Sequence, residues 1–202
     1  MPEITSPATI LILWAVVGYL LGSIPSGVIL ARFMGLGDLR QIGSGNIGAT
    51  NVLRTGNKKA AALTLLGDAL KGIVAVLLAR GFAGPDAVQL AALAAFLGHC
   101  FPVWLNFRGG KGVATFLGLV LILAPVAGLI ACGLWLLTAK ISRYSSLAAI
   151  VAAGWTPVAM AVTGYGSYFV LGIILALLIY ARHWANISRL RAGTESKIGD
   201  KG

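Results

Sequence analysis

Six apolar runs constrain this chain before any motif is read. They lie at residues 8–33, 60–79, 87–104, 113–139, 147–163 and 168–182, separated by polar gaps. A bilayer core of about 30 Å is crossed by roughly 20 apolar residues in a helix, so runs of this kind predict membrane helices. Composition agrees. Hydrophobic residues make up 58% of the chain and charged residues 11%, with a mean hydropathy of +0.89, whereas soluble domains carry about 25% charged residues. Glu3 precedes the first run and no basic stretch does. That run is therefore expected to be a retained span and not a cleaved signal peptide. Within it, Gly18, Gly22 and Ser26 recur every four residues, which favours close helix packing. Pro25 is expected to bend its inner half.

The net charge of +10, from 16 Lys and Arg against 6 Asp and Glu, reads first as orientation and contact with anionic lipid. Nucleic acid is not an expected partner. The run 113–139 decides the topology. As one crossing it would place Lys140 and Arg143 opposite Arg108 and Lys111, and the basic tail outside. As a hairpin turning near Ala124-Pro125, it puts these charges on one side and leaves only Arg80 in an outer loop. The positive-inside rule selects the hairpin. The expectation is an all-α integral membrane protein with seven transmembrane helices, the N-terminus outside and the C-terminus cytoplasmic. Its fourth and fifth spans form a short hairpin, each limb about 13 residues or roughly 20 Å long, which requires local thinning or a partly re-entrant path. No repeat or soluble segment is evident, so residues 1–202 are read as one transmembrane domain.

On this topology three polar clusters meet at one face: 43–54, 98–115 and 182–197. The first is rich in glycine, amides and hydroxyls. Its backbone N–H groups can form an anion nest, and Arg54 adds a fork of donors matched to phosphate. Residues 43–48 fit G-x-G-x-x-G, but no βαβ unit surrounds them. Gly109-Gly110-Lys111-Gly112 lacks the Lys-Ser/Thr ending of a P-loop, so nucleotide hydrolysis is not expected. On a helical tail, His183, Asn186 and Ile187 share a face. From the residues alone, His183 is a base, a phosphate donor or an interfacial residue beside Trp184. His99 reads as a helix-packing histidine. Asp68 and Lys71 are either functional intramembrane charges or a mutual structural pair outside the polar clusters. With two histidines and six acids along the chain, no zinc or magnesium site is expected. Cys100 and Cys132 lie in apolar runs and imply no disulfide framework. The inventory suits a phosphorylated ligand.

The same clusters carry a resemblance. GSGNIGATNVLR at 43–54, GHCFPVWLNFRGGKGVAT at 98–115 and RHWANISRLRAGTESK at 182–197 closely resemble the bacterial acyl-phosphate:glycerol-3-phosphate acyltransferases, the PlsY family. The likeness covers the whole chain in length and spacing. It implies a seven-helix fold in the bacterial inner membrane with the site facing the cytoplasm. It implies transfer of a fatty acyl group from acyl phosphate to the sn-1 hydroxyl of glycerol 3-phosphate, giving lysophosphatidic acid and phosphate. By motif position it implies catalytic roles for Ser44, His183 and Asn186. Substrate contacts are implied for Ser44, Gly45, Asn46, Arg54, Gly109, Gly110, Lys111, Gly112, His183 and Asn186. No cofactor or metal is implied. The partners are glycerol 3-phosphate, acyl phosphate and membrane lipids, and a monomer is expected.

The bottom-up expectation runs parallel. Backbone N–H groups of 43–48 or 109–112 hold the acyl phosphate, and Arg54 and Lys111 hold phosphate charge. The 113–139 hairpin opens a groove for the acyl chain. The proton acceptor is left open between His183 and the substrate's own phosphate, with a hydrogen-bond donor role preferred for His183. The main alternative is a transporter for a phosphorylated metabolite. The lack of outer polar clusters counts against it, since alternating access needs a path to both faces. A metal-dependent phosphatidyl transferase is rejected for want of an aspartate-rich site.

Overall fold

The computed structural model describes residues 3–199, and every regular element among them is helical. Helices α1 (Ala8–Gly22) and α2 (Ser26–Phe33) together make the first span. They break at Ser23-Ile24-Pro25, because proline lacks an N–H and disfavours helical backbone in the residue before it. A five-residue helix, α3 (Ala49–Leu53), follows in the first polar loop. Then come α4 (Lys58–Phe82) and α5 (Pro85–Cys100), joined by a tight turn. Helices α6 (Val113–Leu123) and α7 (Pro125–Ser142) form the anticipated hairpin, turning at Ala124-Pro125. Helix α8 (Ser145–Val162) leads to α9 (Phe169–Arg182), and α10 (Trp184–Arg191) closes the chain at a 61° bend.

Among the described residues, five stretches are long and apolar enough to cross a bilayer: Ala8–Phe33, Lys58–Phe82, Pro85–Leu105, Pro125–Ser142 and Ser145–Val162. The bent pair Gly166–Arg182 and Trp184–Arg191 makes a sixth if it is counted as one span. The chain is a multi-pass membrane protein. One expectation needs correction. The hairpin limbs are unequal: α7 has 18 residues and qualifies as a span, and only α6, with 11, is short. At about 1.5 Å per residue α6 reaches roughly 16 Å, half a bilayer core.

The small-residue stripe of the first span finds its partners. A Cβ at Gly18 or Gly22 would strike the backbone of Ala91 or Ala95 on α5, and one at Gly67 on α4 would meet Ser26. Helices α1 and α5 therefore touch backbone to backbone, the geometry small residues permit where apolar burial gives no drive. At the opposite end, Asp86 accepts hydrogen bonds from the Thr5 and Ser6 N–H groups at 2.9 and 2.7 Å, fastening the chain before α1 to α5. Helix α6 packs against both α4 and α7. Being short, it leaves a recess between their longer walls.

Candidate active site

The first polar loop is organised by a buried amide. Asn51 on α3 donates to the Leu39 carbonyl at 2.8 Å, and its Oδ1 accepts from the Ser44 N–H at 3.1 Å. Gly43 has φ +50°, and the Arg54 side chain lies where its Cβ would be. Glycine there lets the loop fold over the guanidinium. Part of the expected anion nest is occupied. The Gly45 N–H donates to Ile42 O at 2.9 Å and the Ile47 N–H to Asn46 Oδ1 at 3.0 Å. With Ser44 taken by Asn51, these amides are spent on the loop itself. Ser44, Asn46 and Arg54 border the cavity described below; Gly45 does not.

In the second motif two of the four N–H groups are likewise engaged. The N–H groups of Gly109 and Gly110 donate to Cys100 O and His99 O, both at 3.1 Å. They satisfy carbonyls that the C-terminus of α5 leaves open. Side chains at either position would collide with that helix end, and one at Gly110 with the His99 ring. Their carbonyls accept from Arg182, at 3.4 Å for Gly109 and 3.1–3.2 Å for Gly110, while its guanidinium lies 5.1 Å above the Phe101 ring. Gly109 and Gly110 thus brace the loop through their N–H groups. Lys111 and Gly112 alone of this quartet border the cavity. Gly112 takes φ +84° against Phe96 and turns the chain into α6.

The third cluster supplies a continuous polar chain. Lys111 Nζ donates to Asn186 Oδ1 at 2.6 Å, and Asn186 Nδ2 donates to Glu195 Oε1 at 2.6 Å. Glu195 also accepts from Ser146 Oγ and Arg189 Nε, both at 2.7 Å. Burial disfavours the Glu195 charge, but these three hydrogen bonds outweigh it and hold the carboxyl below its usual range. Burial depresses Lys111 to about 8, opposed by Glu195 and reinforced by Arg189, Arg182 and Arg54. Its ammonium is poorly neutralised without a ligand, which makes it receptive to an anion.

His183 joins α9 to α10 and is buried. Its Nδ1 lies 2.8 Å from the Ile179 carbonyl. A carbonyl only accepts, so Nδ1 carries the hydrogen and neutral His183 offers Nε2 as a lone pair. With Nδ1 donating to Ile179, a neutral His183 presents an acceptor at Nε2, where the sequence reading preferred a donor.

All these groups open onto one cavity of about 700 Å³. Ser44, Arg54, Lys111, His183, Asn186, Glu195 and Ser196 line its polar part, and Ala61, Leu65, Leu117, Cys132, Trp135 and Leu136 its apolar part. The lining residues come from the first half of α4, the end of α5, the start of α6, the second half of α7 and the start of α8. These are the same end of an antiparallel bundle. Asp68 and His99 also border it, with His99 Nδ1 3.6 Å from Asp68 Oδ1. The pair Asp68–Lys71, 2.9 Å apart, is thus not outside the clusters, and Lys71 also donates to Ile24 O at the α1–α2 break at 2.8 Å. Among the described residues, no three His, Cys, Asp or Glu side chains gather as a metal site.

Sequence reasoning places Glu195 in the third polar cluster without giving it a role, and does not single out Ser146 or Ser196. Glu195 carried a signal, as the one acid in the basic stretch 182–197. The two serines carried none.

Known proteins resemble this chain in sequence and fold. A family model described as glycerol-3-phosphate acyltransferase matches residues 12–193. A glycerol-3-phosphate acyltransferase of Ruegeria pomeroyi is 64% identical over 201 residues, covering 100% of this chain and 99% of that one. One from Jannaschia sp. is 59% identical over 199 residues, covering 98% of each. The crystal structure of PlsY, an integral membrane glycerol 3-phosphate acyltransferase, in its glycerol 3-phosphate form superposes with a TM-score of 0.88 at 40% identity. It covers 94% of this chain and 96% of that one. The lysophosphatidic acid form gives 0.85 at 37% identity, covering 94% and 95%. This chain belongs to the glycerol-3-phosphate acyltransferase family.

Proposed function

We propose that the cavity holds acyl phosphate and glycerol 3-phosphate together and passes the acyl group from one to the other. The chain is a glycerol-3-phosphate acyltransferase; the donor, the residue roles and the orientation are our reading. The observation that carries it is a single cavity lined by cationic and hydrogen-bonding side chains together with apolar ones. A fatty acyl phosphate has the same two-part chemistry. Its chain lies in the recess over α6, between α4 and α7, and its phosphate lies toward Arg54 and Lys111. Ser44, Asn46 and Asn186 supply neutral hydrogen-bonding groups around the two phosphates.

The acceptor hydroxyl attacks the acyl carbonyl carbon. A new C–O ester bond forms, and the bond from that carbon to the phosphate oxygen breaks. The departing phosphate keeps the electron pair. His183 Nε2 accepts the hydroxyl proton, which then passes to the released phosphate. The leaving group is already good, so positioning and charge stabilisation carry most of the work. Nothing in the geometry favours transport, because the lining comes from one end of the bundle.

The reading is tested with purified protein, acyl phosphate and glycerol 3-phosphate. Lysophosphatidic acid and phosphate are expected in equal amounts, and excess EDTA leaves the rate unchanged. A rate abolished by chelation and restored by one divalent ion would contradict the metal-free mechanism.

We also read α6 as a short crossing, which makes seven with the N-terminus outside and the site at the cytoplasmic face of the bacterial inner membrane. Single cysteines replacing Lys59 and Ser142, in a chain without Cys100 and Cys132, are expected to react with an impermeant thiol reagent only from the cytoplasmic side. One replacing Ser167 reacts from outside. Outside labelling at Ser142 would overturn the hairpin crossing.

A further inference from the structure

The tail after α10 is fixed across the cavity mouth at several separate points. Glu195 is held by Ser146, Asn186 and Arg189. Three residues on, the Ile198 N–H donates to Arg143 O at 2.7 Å, and Arg143 Nη2 donates back to Ile198 O at 3.3 Å. Lys197 sits 5.9 Å above the Tyr144 ring. The tail therefore runs from α10 to the α7–α8 junction, and Glu195, Ser196 and Ile198 border the cavity.

Between the Glu195 and Ile198 anchors, Ser196 Oγ accepts a hydrogen bond from Arg54 Nη2. A hydroxyl has one hydrogen and two lone pairs. Accepting from arginine leaves its own hydrogen free to turn into the cavity. We propose that Ser196 is a phosphate-binding residue: Arg54 fixes its oxygen, and its O–H donates to the phosphate that the same guanidinium holds. The arrangement is a relay of one cation and one hydroxyl onto a single anion. Its geometry is set by the tail anchors rather than by either loop motif. It rests on the acyl-transfer reading of the cavity and adds a specific phosphate ligand to it.

Either substrate brings the required phosphate, so both are varied. Initial rates are measured with glycerol 3-phosphate varied at saturating acyl phosphate, and then the reverse. The variants are Ser196→Ala, Ser196→Thr and Ser196→Asp, beside wild type and Arg54→Ala. Loss of one hydrogen bond to a charged group predicts that Ser196→Ala raises one of the two KM values about fivefold or more, with the effect in KM rather than kcat. Ser196→Thr keeps the hydroxyl and restores the value. Ser196→Asp puts a carboxylate against Arg54 and raises the same KM further. The arm that responds identifies which phosphate Arg54 holds. Both KM values unchanged in the alanine and aspartate variants, with wild type active and Arg54→Ala impaired, would overturn the inference and leave the acyl-transfer reading intact. A lower KM in Ser196→Ala would also overturn it, by making Ser196 a competitor for Arg54. No turnover in wild type would remove the acyl-transfer reading and this inference with it.

Discussion

His183→Ala and His183→Asn are both expected to lower kcat by about a hundredfold to ten-thousandfold, the range for loss of a general base. The expectation rests on the ring's orientation. Nδ1 is committed to the Ile179 carbonyl, so only Nε2 faces the chemistry, and it does so without a hydrogen. Asparagine can place an oxygen or an N–H near the same point, but it has no basicity in this range. A purely hydrogen-bonding histidine would be replaced well by asparagine; a proton acceptor would not. The measurement is kcat at saturating concentrations of both substrates, with glycerol 3-phosphate affinity measured separately by calorimetry. Asparagine retaining more than about a tenth of the wild-type kcat would rule out the proton-acceptor role.

Lys111→Ala is expected to reduce kcat/KM by about a hundredfold, the scale for removing a charged donor from a desolvated site. The lysine holds the Asn186 carbonyl oxygen at 2.6 Å, so its removal also loosens an amide that is tied to Glu195. Burial depresses Lys111 to about 8, with a clear sign for the free enzyme. Its ammonium is present below that pH and lost above it, so kcat/KM falls as pH rises through about 8. Lys111→Arg keeps its charge across this range. That variant starts from a lower value, because the longer fork does not fit the same pocket, but its alkaline limb moves upward. A wild-type profile flat from about pH 7 to 9.5, or an identical limb in the arginine variant, would contradict the assignment.

Much of the scaffold was legible because its causes are local. Hydropathy marks a bilayer-crossing segment without reference to its neighbours, and proline breaks a helix through its own missing N–H. The interruption at Pro25 and the turn at Ala124-Pro125 follow directly. The spacing of Gly18 and Gly22 also announced a close helix contact, although only the fold named Ala91 and Ala95 as the surfaces it meets. Residue types were informative too: Arg54, Lys111, His183 and Asn186 stand around one cavity, as their chemistry implied.

What the sequence could not decide was where each hydrogen goes. Glycine-rich stretches look alike whether their N–H groups meet a ligand or a helix end. In Gly109 and Gly110 they meet α5, and in Gly45 they close a turn. The tautomer of His183 depends on a carbonyl one helical turn away that happens to face it. The remaining polar order depends on partners far apart in the chain. Lys111 meets Asn186 across 75 positions, and Arg54 meets Ser196 across 142. Local physics determined the apolar helices, their breaks and the supply of cations and hydroxyls. Tertiary structure alone decided which of those groups remain unsatisfied and point inward, because a buried donor or acceptor takes whichever partner the packing brings within hydrogen-bond distance.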